Sequence, residues 1–362
     1  MDSAGSRDFH YMARALRLAR NGLYTTHPNP RVGCVLVRDD QVIGEGWHVR
    51  AGGDHAEIAA LKQAENAQGA TAYVTLEPCS HHGRTPPCAD ALIRAGIRRV
   101  VTAMQDPNPL VAGSGLAKLR EAGIETVCGI LEEDARRLNR GFIQRMTAGR
   151  PFVRSKLAMS LDGRTALESG ESKWITSSEA RQDVHRIRAQ SSAILTGIGT
   201  VLADDPALTA RIEDGVQQPV RIVLDTRLRM PAHAQLAKLP GRSLILTASG
   251  DQRRMADLQK AGFEIHRIAE KNGRIDLNAV MAFLADQQIN ELLVEAGPIL
   301  NGALLAENLA DEWIVYMAPC VLGDRGRGLF TLPGIRTMAD KKILKLTDVR
   351  QIGPDLKLTY GM

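Results

Sequence analysis

Aromatic residues are scarce in this chain of 362 residues, at 4%. Surfaces that hold single-stranded nucleic acid stack bases on aromatic rings, so that class of function is disfavoured. Charge points the same way. The net charge is +5, without a block of five or six like charges, so no basic stripe for a polyanion is expected. No apolar run reaches eighteen residues, so no membrane span is expected. The opening Met1-Asp2-Ser3-Ala4-Gly5-Ser6-Arg7-Asp8 lacks the apolar centre of a secretion signal. Cysteines number five, and two of them stand beside a histidine motif, which suggests metal rather than disulfides and a reducing, cytoplasmic location. Cys34, Cys128 and Cys320 lie in apolar runs and read as small buried hydrophobes. No Gly-x-Gly-x-x-Gly follows a strand, which disfavours a Rossmann domain.

The length implies two or three domains. Residues 8–21 carry Met12, Ala15, Leu16 and Ala19 on one helical face, with Gly22 as cap. Two prolines, Pro28 and Pro30, force an extended loop. Strands are expected at 32–37 and 41–47, then an Asp54-capped helix with His55 and Glu57 in its first turn. A strand at 71–76, a helix from Pro87 to Ala95, a strand at 98–103, a helix at 113–122 and a strand at 124–128 follow. One long helix is expected at 131–147, and a domain boundary at Thr147-Ala148-Gly149-Arg150-Pro151, giving domains 1–149 and 150–362. In the second half, strands are expected near 152–159, 192–196, 220–224, 243–247, 290–295, 312–317 and 343–349, with helices near 178–190, 252–260, 276–286 and 299–307. Such alternation predicts an α/β protein with mainly parallel sheets covered on both faces.

The chemistry concentrates between His55 and Cys88. His55-Ala56-Glu57 and Pro78-Cys79 match the first parts of the zinc deaminase signature, H-x-E followed by P-C-x-x-C. Cys88 departs from it, because eight residues rather than two separate it from Cys79. One imidazole and two thiolates hold zinc and leave a fourth position for water. Glu57 is then the proton carrier rather than a ligand. The positive end of a helix should favour the thiolate of Cys88 in particular. His81 or His82 could instead close a structural site with a fourth ligand.

In the second half, Glu295-Ala296-Gly297-Pro298 ends an apolar strand and opens a helix, where backbone can approach an anion. An ordinary strand-to-helix turn reads the same way. Thr196-Gly197-Ile198-Gly199-Thr200 is a second candidate phosphate segment, flanked by Arg188 and Arg211.

The run Thr75-Leu76-Glu77-Pro78-Cys79-Ser80-His81-His82-Gly83-Arg84-Thr85-Pro86-Pro87-Cys88 resembles the bifunctional deaminase/reductase family of riboflavin biosynthesis. So do Pro28-Asn29-Pro30, Gln105-Asp106-Pro107-Asn108-Pro109, Ser160-Leu161-Asp162-Gly163-Arg164, Gly170-Glu171-Ser172, Asp204-Asp205-Pro206 and Val294-Glu295-Ala296-Gly297-Pro298. In that family the wide cysteine spacing is the rule. The resemblance implies a cytidine-deaminase-like α/β/α zinc domain followed by a dihydrofolate-reductase-like α/β domain. It implies one zinc ion on His55, Cys79 and Cys88, with Glu57 catalytic. It implies pyrimidine and ribose-phosphate contacts at Asn29, His81, Arg84, Asp106 and Asn108. Members often carry lysine in place of Arg84, and arginine would hold a phosphate through two hydrogen bonds. In the reductase half, substrate contacts fall to Ser172, Arg188, Leu208, Arg211 and Glu295. NADPH contacts fall to Ala158, Trp174, Thr200, Asp204, Thr226 and the turn Gly297, Pro298, Ile299, Leu300, Asn301, Gly302, Ala303. The implied substrate is a small phosphoribosylated pyrimidine, and the implied assembly a homodimer or homotetramer. A nucleic-acid deaminase with a recognition domain, or an inactive regulatory relative, fits less well. The first would need aromatics and a basic stripe, and the second would not need all three ligands and Glu57.

Overall fold

The computed structural model describes residues 3–80, 87–109, 111–212 and 215–362. The chain folds as two units, Met1–Gly149 and Arg150–Met362.

The first unit opens with α1 (Ser3–Arg20), whose expected face of Met12, Ala15, Leu16 and Ala19 is buried. There follow β1 (Gly33–Arg38), β2 (Gln41–Trp47), α2 (Ala56–Leu61), β3 (Thr71–Val74), α3 (Cys88–Arg94), β4 (Arg99–Thr102), α4 (Ser114–Glu121), β5 (Glu125–Cys128), α5 (Glu132–Leu138) and α6 (Arg140–Ala148). The sheet order is β2-β1-β3-β4-β5. β1 is antiparallel to both neighbours, whereas β3, β4 and β5 run parallel. Alternation along β1 sends Cys34 and Leu36 to one apolar layer and Val35 and Val37 to the other, so both faces are covered. Gly33 lets α1 lie directly on the sheet: a Cβ there would fall 2.1 Å from the Ala15 carbonyl oxygen.

Three expectations change here. His55, not Asp54, is the N-cap of α2, in extended conformation, and Asp54 pairs instead with Lys62 at 2.6 Å. The single helix expected over 131–147 is two, broken at Asn139 (φ −115°, ψ 20°). The break releases the Asn139 side chain to bind both backbone groups of Arg31: Oδ1 accepts the N–H at 2.8 Å and Nδ2 donates to the carbonyl at 2.9 Å. Cys34 is buried as expected, but Cys128 is exposed at the end of the edge strand and Cys320 half-buried.

The second unit comprises β6 (Phe152–Ser160), α7 (Ser178–Gln190), β7 (Ala193–Gly197), α8 (Ile198–Asp204), β8 (Val220–Leu224), α9 (Gln235–Lys238), β9 (Ser243–Thr247), α10 (Gln252–Lys260), β10 (Glu264–Arg267), β11 (Glu270–Lys271), β12 (Arg274–Ile275), α11 (Leu277–Asp286), β13 (Glu291–Val294), α12 (Pro298–Ala306), β14 (Glu312–Ala318), β15 (Lys345–Ile352) and β16 (Asp355–Gly361). Nine strands form one sheet, in the order β10-β9-β8-β7-β13-β6-β14-β16-β15. The pairings from β10 to β14 are parallel, and β16 and β15 are added antiparallel. Apolar clusters lie on both faces, with Trp313 in one and Tyr316 in the other. No described helix is long and apolar enough to cross a membrane.

Candidate active sites

The first site forms beyond the carboxyl ends of β3 and β4, where parallel strands leave a crevice between diverging connections. His55 at the start of α2, Cys79 after β3 and Cys88 at the first position of α3 converge there. Their ligand atoms all lie within 4.8 Å of one another. His55 Nδ1 is 3.2 Å from Cys88 Sγ and 3.7 Å from Cys79 Sγ. Usual bond lengths in tetrahedral zinc put a nitrogen and a sulfur ligand about 3.5 Å apart, so the donor set fits that ion. Among the described residues the cluster has three members; His81 and Arg84 lie outside the described residues.

The thiols are unequal. Cys79 is drawn down to about 4, first by a hydrogen bond from Cys88, with burial opposing and His55 and the Cys88 backbone N–H assisting. That N–H lies 3.3 Å from Cys79 Sγ. Without a metal the two thiols share one proton, and Cys88 is raised as the donor of the pair. Glu57, at the second position of α2, is 3% exposed. Burial raises its carboxyl to about 7, with the His55 charge opposing.

Two positioning groups carry no signal of their own in the sequence. The Asp54 carbonyl can only accept, so His48 Nδ1, 2.9 Å away, carries the proton. His48 Nε2 then accepts from Asn29 Nδ2 at 3.0 Å, which leaves Asn29 Oδ1 as the amide's acceptor. The His48 and His55 rings meet edge to face at 5.5 Å, so this chain ends against the metal-ligand cluster. Glu77, 5% exposed, accepts four backbone N–H groups. They come from Asp106 (3.1 Å), Gly113 (2.9 Å), Gly115 (2.8 Å) and Leu116 (3.1 Å). This fixes the loop that carries Asp106 and Asn108, and the Asn108 N–H in turn donates to Asp106 Oδ1 at 2.9 Å.

The second site lies at the carboxyl ends of β7 and β13, parallel neighbours. Thr196 Oγ1 donates to the Glu295 carbonyl at 2.7 Å, tying the two ends together. Arg188 from α7 grips the Glu295 carboxylate with Nε and Nη2, at 2.5 and 2.9 Å, and donates to the Thr209 carbonyl at 3.1 Å. Burial raises Glu295, but the Arg188 charge and hydrogen bonds outweigh it, with help from Lys156 and His185, and hold the carboxyl at about 2. Lys156, on β6, is a member the sequence does not mark; burial lowers its pKa against the Glu295 charge. Gly197 and Gly297 close the two strand ends, and a Cβ at either would meet nothing within 4 Å. That exposed backbone is a cradle suited to a dinucleotide pyrophosphate.

The other expected residues divide. Gly297 and Ile299 are exposed, Pro298, Leu300, Ala303, Ala158, Thr200, Thr226 and Ser172 half-buried, and Asp204 is exposed with Lys173 at 3.4 Å. Trp174 is 71% exposed, with the Arg181 guanidinium 4.6 Å over its ring. Asn301 faces inward, accepting from Ser155 Oγ at 2.7 Å and donating to the Ala296 carbonyl at 2.8 Å. Gly302 lies against the Thr331 backbone. Leu208 is buried at φ +47°, and Arg211 reaches the His185 ring, with Nη2 3.0 Å from Nε2.

Residues 6–104 match the model of the cytidine and deoxycytidylate deaminase zinc-binding region. Residues 151–358 match the RibD C-terminal domain. The chain is 52% identical to the riboflavin biosynthesis protein RibD of Escherichia coli over 365 residues, covering 97% of this chain and 98% of that one. The chain belongs to the RibD family. RibD of Acinetobacter baumannii has a solved structure with a TM-score of 0.93 and 46% identity, covering 99% of both chains. A RibD-like structure from Thermotoga maritima, described as a diaminohydroxyphosphoribosylaminopyrimidine deaminase and 5-amino-6-(5-phosphoribosylamino)uracil reductase, has a TM-score of 0.88 and 34% identity over 99% of both chains. As a RibD, this chain is an enzyme with a deaminase domain and a reductase domain.

Proposed function

We propose that the first unit removes the 2-amino group of 2,5-diamino-6-(5-phosphoribosylamino)pyrimidin-4(3H)-one as ammonia. The second unit then reduces the ribose of 5-amino-6-(5-phosphoribosylamino)uracil to a ribityl chain with NADPH. The observation that carries the reading is the cluster of His55, Cys79 and Cys88 within 4.8 Å, with buried Glu57 on the same helical turn. When bound there, zinc would act as a Lewis acid that brings the pKa of water from 15.7 to near 7.

The chain's own residues do the rest. The Glu57 carboxylate takes a proton from water and delivers it to the departing amine, so water is consumed and ammonia released. Asn29, fixed through His48, offers Oδ1 to a ring N–H of the pyrimidine. Asp106 and Asn108, on the loop held by Glu77, face the ribose, and His81 and Arg84 complete the pyrimidine and phosphate contacts.

In the second unit the hydride is the cofactor's chemistry, and the protein supplies position. The Arg188–Glu295 pair, with Ser172, Leu208 and Arg211, holds the substrate. Backbone at Gly297 to Ala303, with Ala158, Trp174, Thr200, Asp204 and Thr226, holds NADPH. Asn301 and Gly302, turned inward, support that turn rather than touch the cofactor. The chain acts in the cytoplasm as a homo-oligomer, which the exposed apolar Leu346 and Val349 on edge strand β15 support.

The test is to incubate the protein with the diaminopyrimidine ribotide, with and without NADPH. Ammonia should appear without NADPH, and NADPH should be consumed only once deaminated product exists. Glu57→Gln should reduce ammonia release by roughly 10²–10⁴-fold while keeping zinc and reduction of pre-deaminated substrate. No ammonia from a zinc-loaded sample would overturn the deaminase assignment.

A further inference from the structure

We propose that His185 is a positioning residue for the reductase reaction: its neutral ring accepts a hydrogen bond from Arg211 and holds that arginine in the substrate site, and its protonated ring releases it. The inference rests on the reading above that Arg211 contacts the substrate.

His185 and Arg188 stand three positions apart on α7, so they share one face of the helix. That face meets the segment Leu208 to Arg211 at two points. Arg188 donates to the Thr209 carbonyl at 3.1 Å, and His185 meets Arg211. The backbone of the segment is fixed from elsewhere. Leu208 and Ala210 are buried. The Gln218 side chain binds both backbone groups of Ala210, accepting its N–H at 3.0 Å and donating to its carbonyl at 2.8 Å.

The two arginines differ in support. Arg188 is held by both oxygens of Glu295. Arg211 is exposed and has no ion-pair partner among the described residues. Its guanidinium donates from Nη1 to Thr209 Oγ1 at 3.3 Å, and its shortest contact is from Nη2 to His185 Nε2 at 3.0 Å. An exposed arginine left free samples many rotamers, and ordering it when substrate binds weakens affinity. A ring that holds it beforehand removes that loss.

The ring holds it only while neutral. Arg211 presents two donors, the guanidinium at Nε2 and the backbone N–H 3.3 Å from Nδ1. A neutral imidazole has one acceptor nitrogen, so in either tautomer one bond from Arg211 stands. An imidazolium accepts from neither donor and sets two like charges against each other. The charged groups that act on the ring are Arg188 on the same helix, Arg211 on the facing segment and Glu295 beyond β13. Burial first, then Arg188 and Arg211, lower its pKa from 6.5, against the Thr209 carbonyl and Glu295. The ring is therefore neutral above pH 6.5, and the contact is lost as the pH falls below that.

The test is the KM for 5-amino-6-(5-phosphoribosylamino)uracil, measured by NADPH oxidation with the full-length protein between pH 5 and 8. One hydrogen bond corresponds to roughly 3–10-fold in affinity. His185→Ala should raise KM by that factor at pH 8 with kcat little changed. His185→Gln keeps an acceptor and does not titrate, so it should restore KM at pH 8 and hold it as the pH falls. The substrate's own phosphate titrates near pH ~6 for every variant alike, so the gap between wild type and His185→Gln isolates the ring. That gap should open below pH 6.5, to the same factor. In an Arg211→Ala background, His185→Ala and His185→Gln should give the same KM. Should Arg211→Ala alone leave KM unchanged, the substrate reading of Arg211 fails and the proposal falls with it. Should Arg211→Ala raise KM while His185→Ala does not, that reading stands and the proposal alone is overturned. Parallel pH profiles for wild type and His185→Gln, or a His185→Gln as impaired as His185→Ala, overturn it too.

Discussion

Glu77 shows how much one side chain can organise. A carboxylate has about four acceptor positions, and the four N–H groups from Asp106, Gly113, Gly115 and Leu116 use them. Glutamine has one oxygen and would turn an amide N–H toward the remaining donors. Glu77→Gln should cost about 2–4 kcal/mol in denaturant unfolding of the first unit. It should raise KM for ammonia release more than it lowers kcat, and leave reduction of pre-deaminated substrate unchanged. At Glu295 the prediction concerns pH. Its folded pKa, about 2, lies below the ordinary 4.5. The pair's contribution is therefore complete above pH 4.5 and is lost as the pH falls toward 2. Arg188→Met removes the main opposing charge, so burial should push Glu295 above its ordinary range. The stability gap between wild type and this variant, measured by urea unfolding at pH 7, 5 and 3, should narrow steadily with acid. A constant gap would show that the ion pair does not hold the carboxylate down. The clustering of His55, Cys79 and Cys88 was legible because residue type marks the first two and the resemblance marks Cys88, whose spacing departs from the short signature. Glu77 and His48 were not, because their roles are defined by backbone groups up to 39 positions away.

At the scale of elements, the break between α5 and α6 matters most. Apolar periodicity continues through 131–147, and nothing local marks Asn139 as a stop. The stop is tertiary: two hydrogen bonds to Arg31, 108 residues away, need a side-chain direction that a continuous helix does not provide. They anchor the loop that presents Asn29. Asn139→Ala should destabilise the first unit by about 1–3 kcal/mol, through the loss of its two buried hydrogen bonds to the Arg31 backbone. Ammonia-release KM should rise with it, as read by denaturant titration and initial rates on the same sample. The helices expected near 178–190 and 252–260 are present, and Ser177 and Asp251 cap them, accepting from Ala180 and Arg254 N–H groups. β16 escaped because Asp355-Leu356-Lys357-Leu358-Thr359-Tyr360 is mostly half-buried, and only its pairing with β14 and β15 makes it a strand. α8 escaped because Gly199 and the short span Ile198–Asp204 read as loop.

For the whole molecule, two units with separate clusters of site residues predict separable losses. A zinc chelator at neutral pH should stop ammonia release and spare NADPH oxidation by pre-deaminated substrate, and added zinc should restore the first. Simultaneous loss of both would show that reduction also depends on the metal. The strand order of the second unit has a further consequence, for the ribosome. β6 is made first, yet its two partners in the sheet, β13 and β14, come last but for the final hairpin. Phe152 pairs with Glu291, and 291 − 152 is 139 residues. At roughly 5–20 residues per second, β6 emerges about 7–30 s before either edge can be satisfied. Over that interval a nine-residue strand with Val153 and Leu157 bound for the core stays open to any other strand that reaches it. Newly made chains should therefore be most prone to aggregate, and most dependent on chaperones, between the completion of β6 and the arrival of β13.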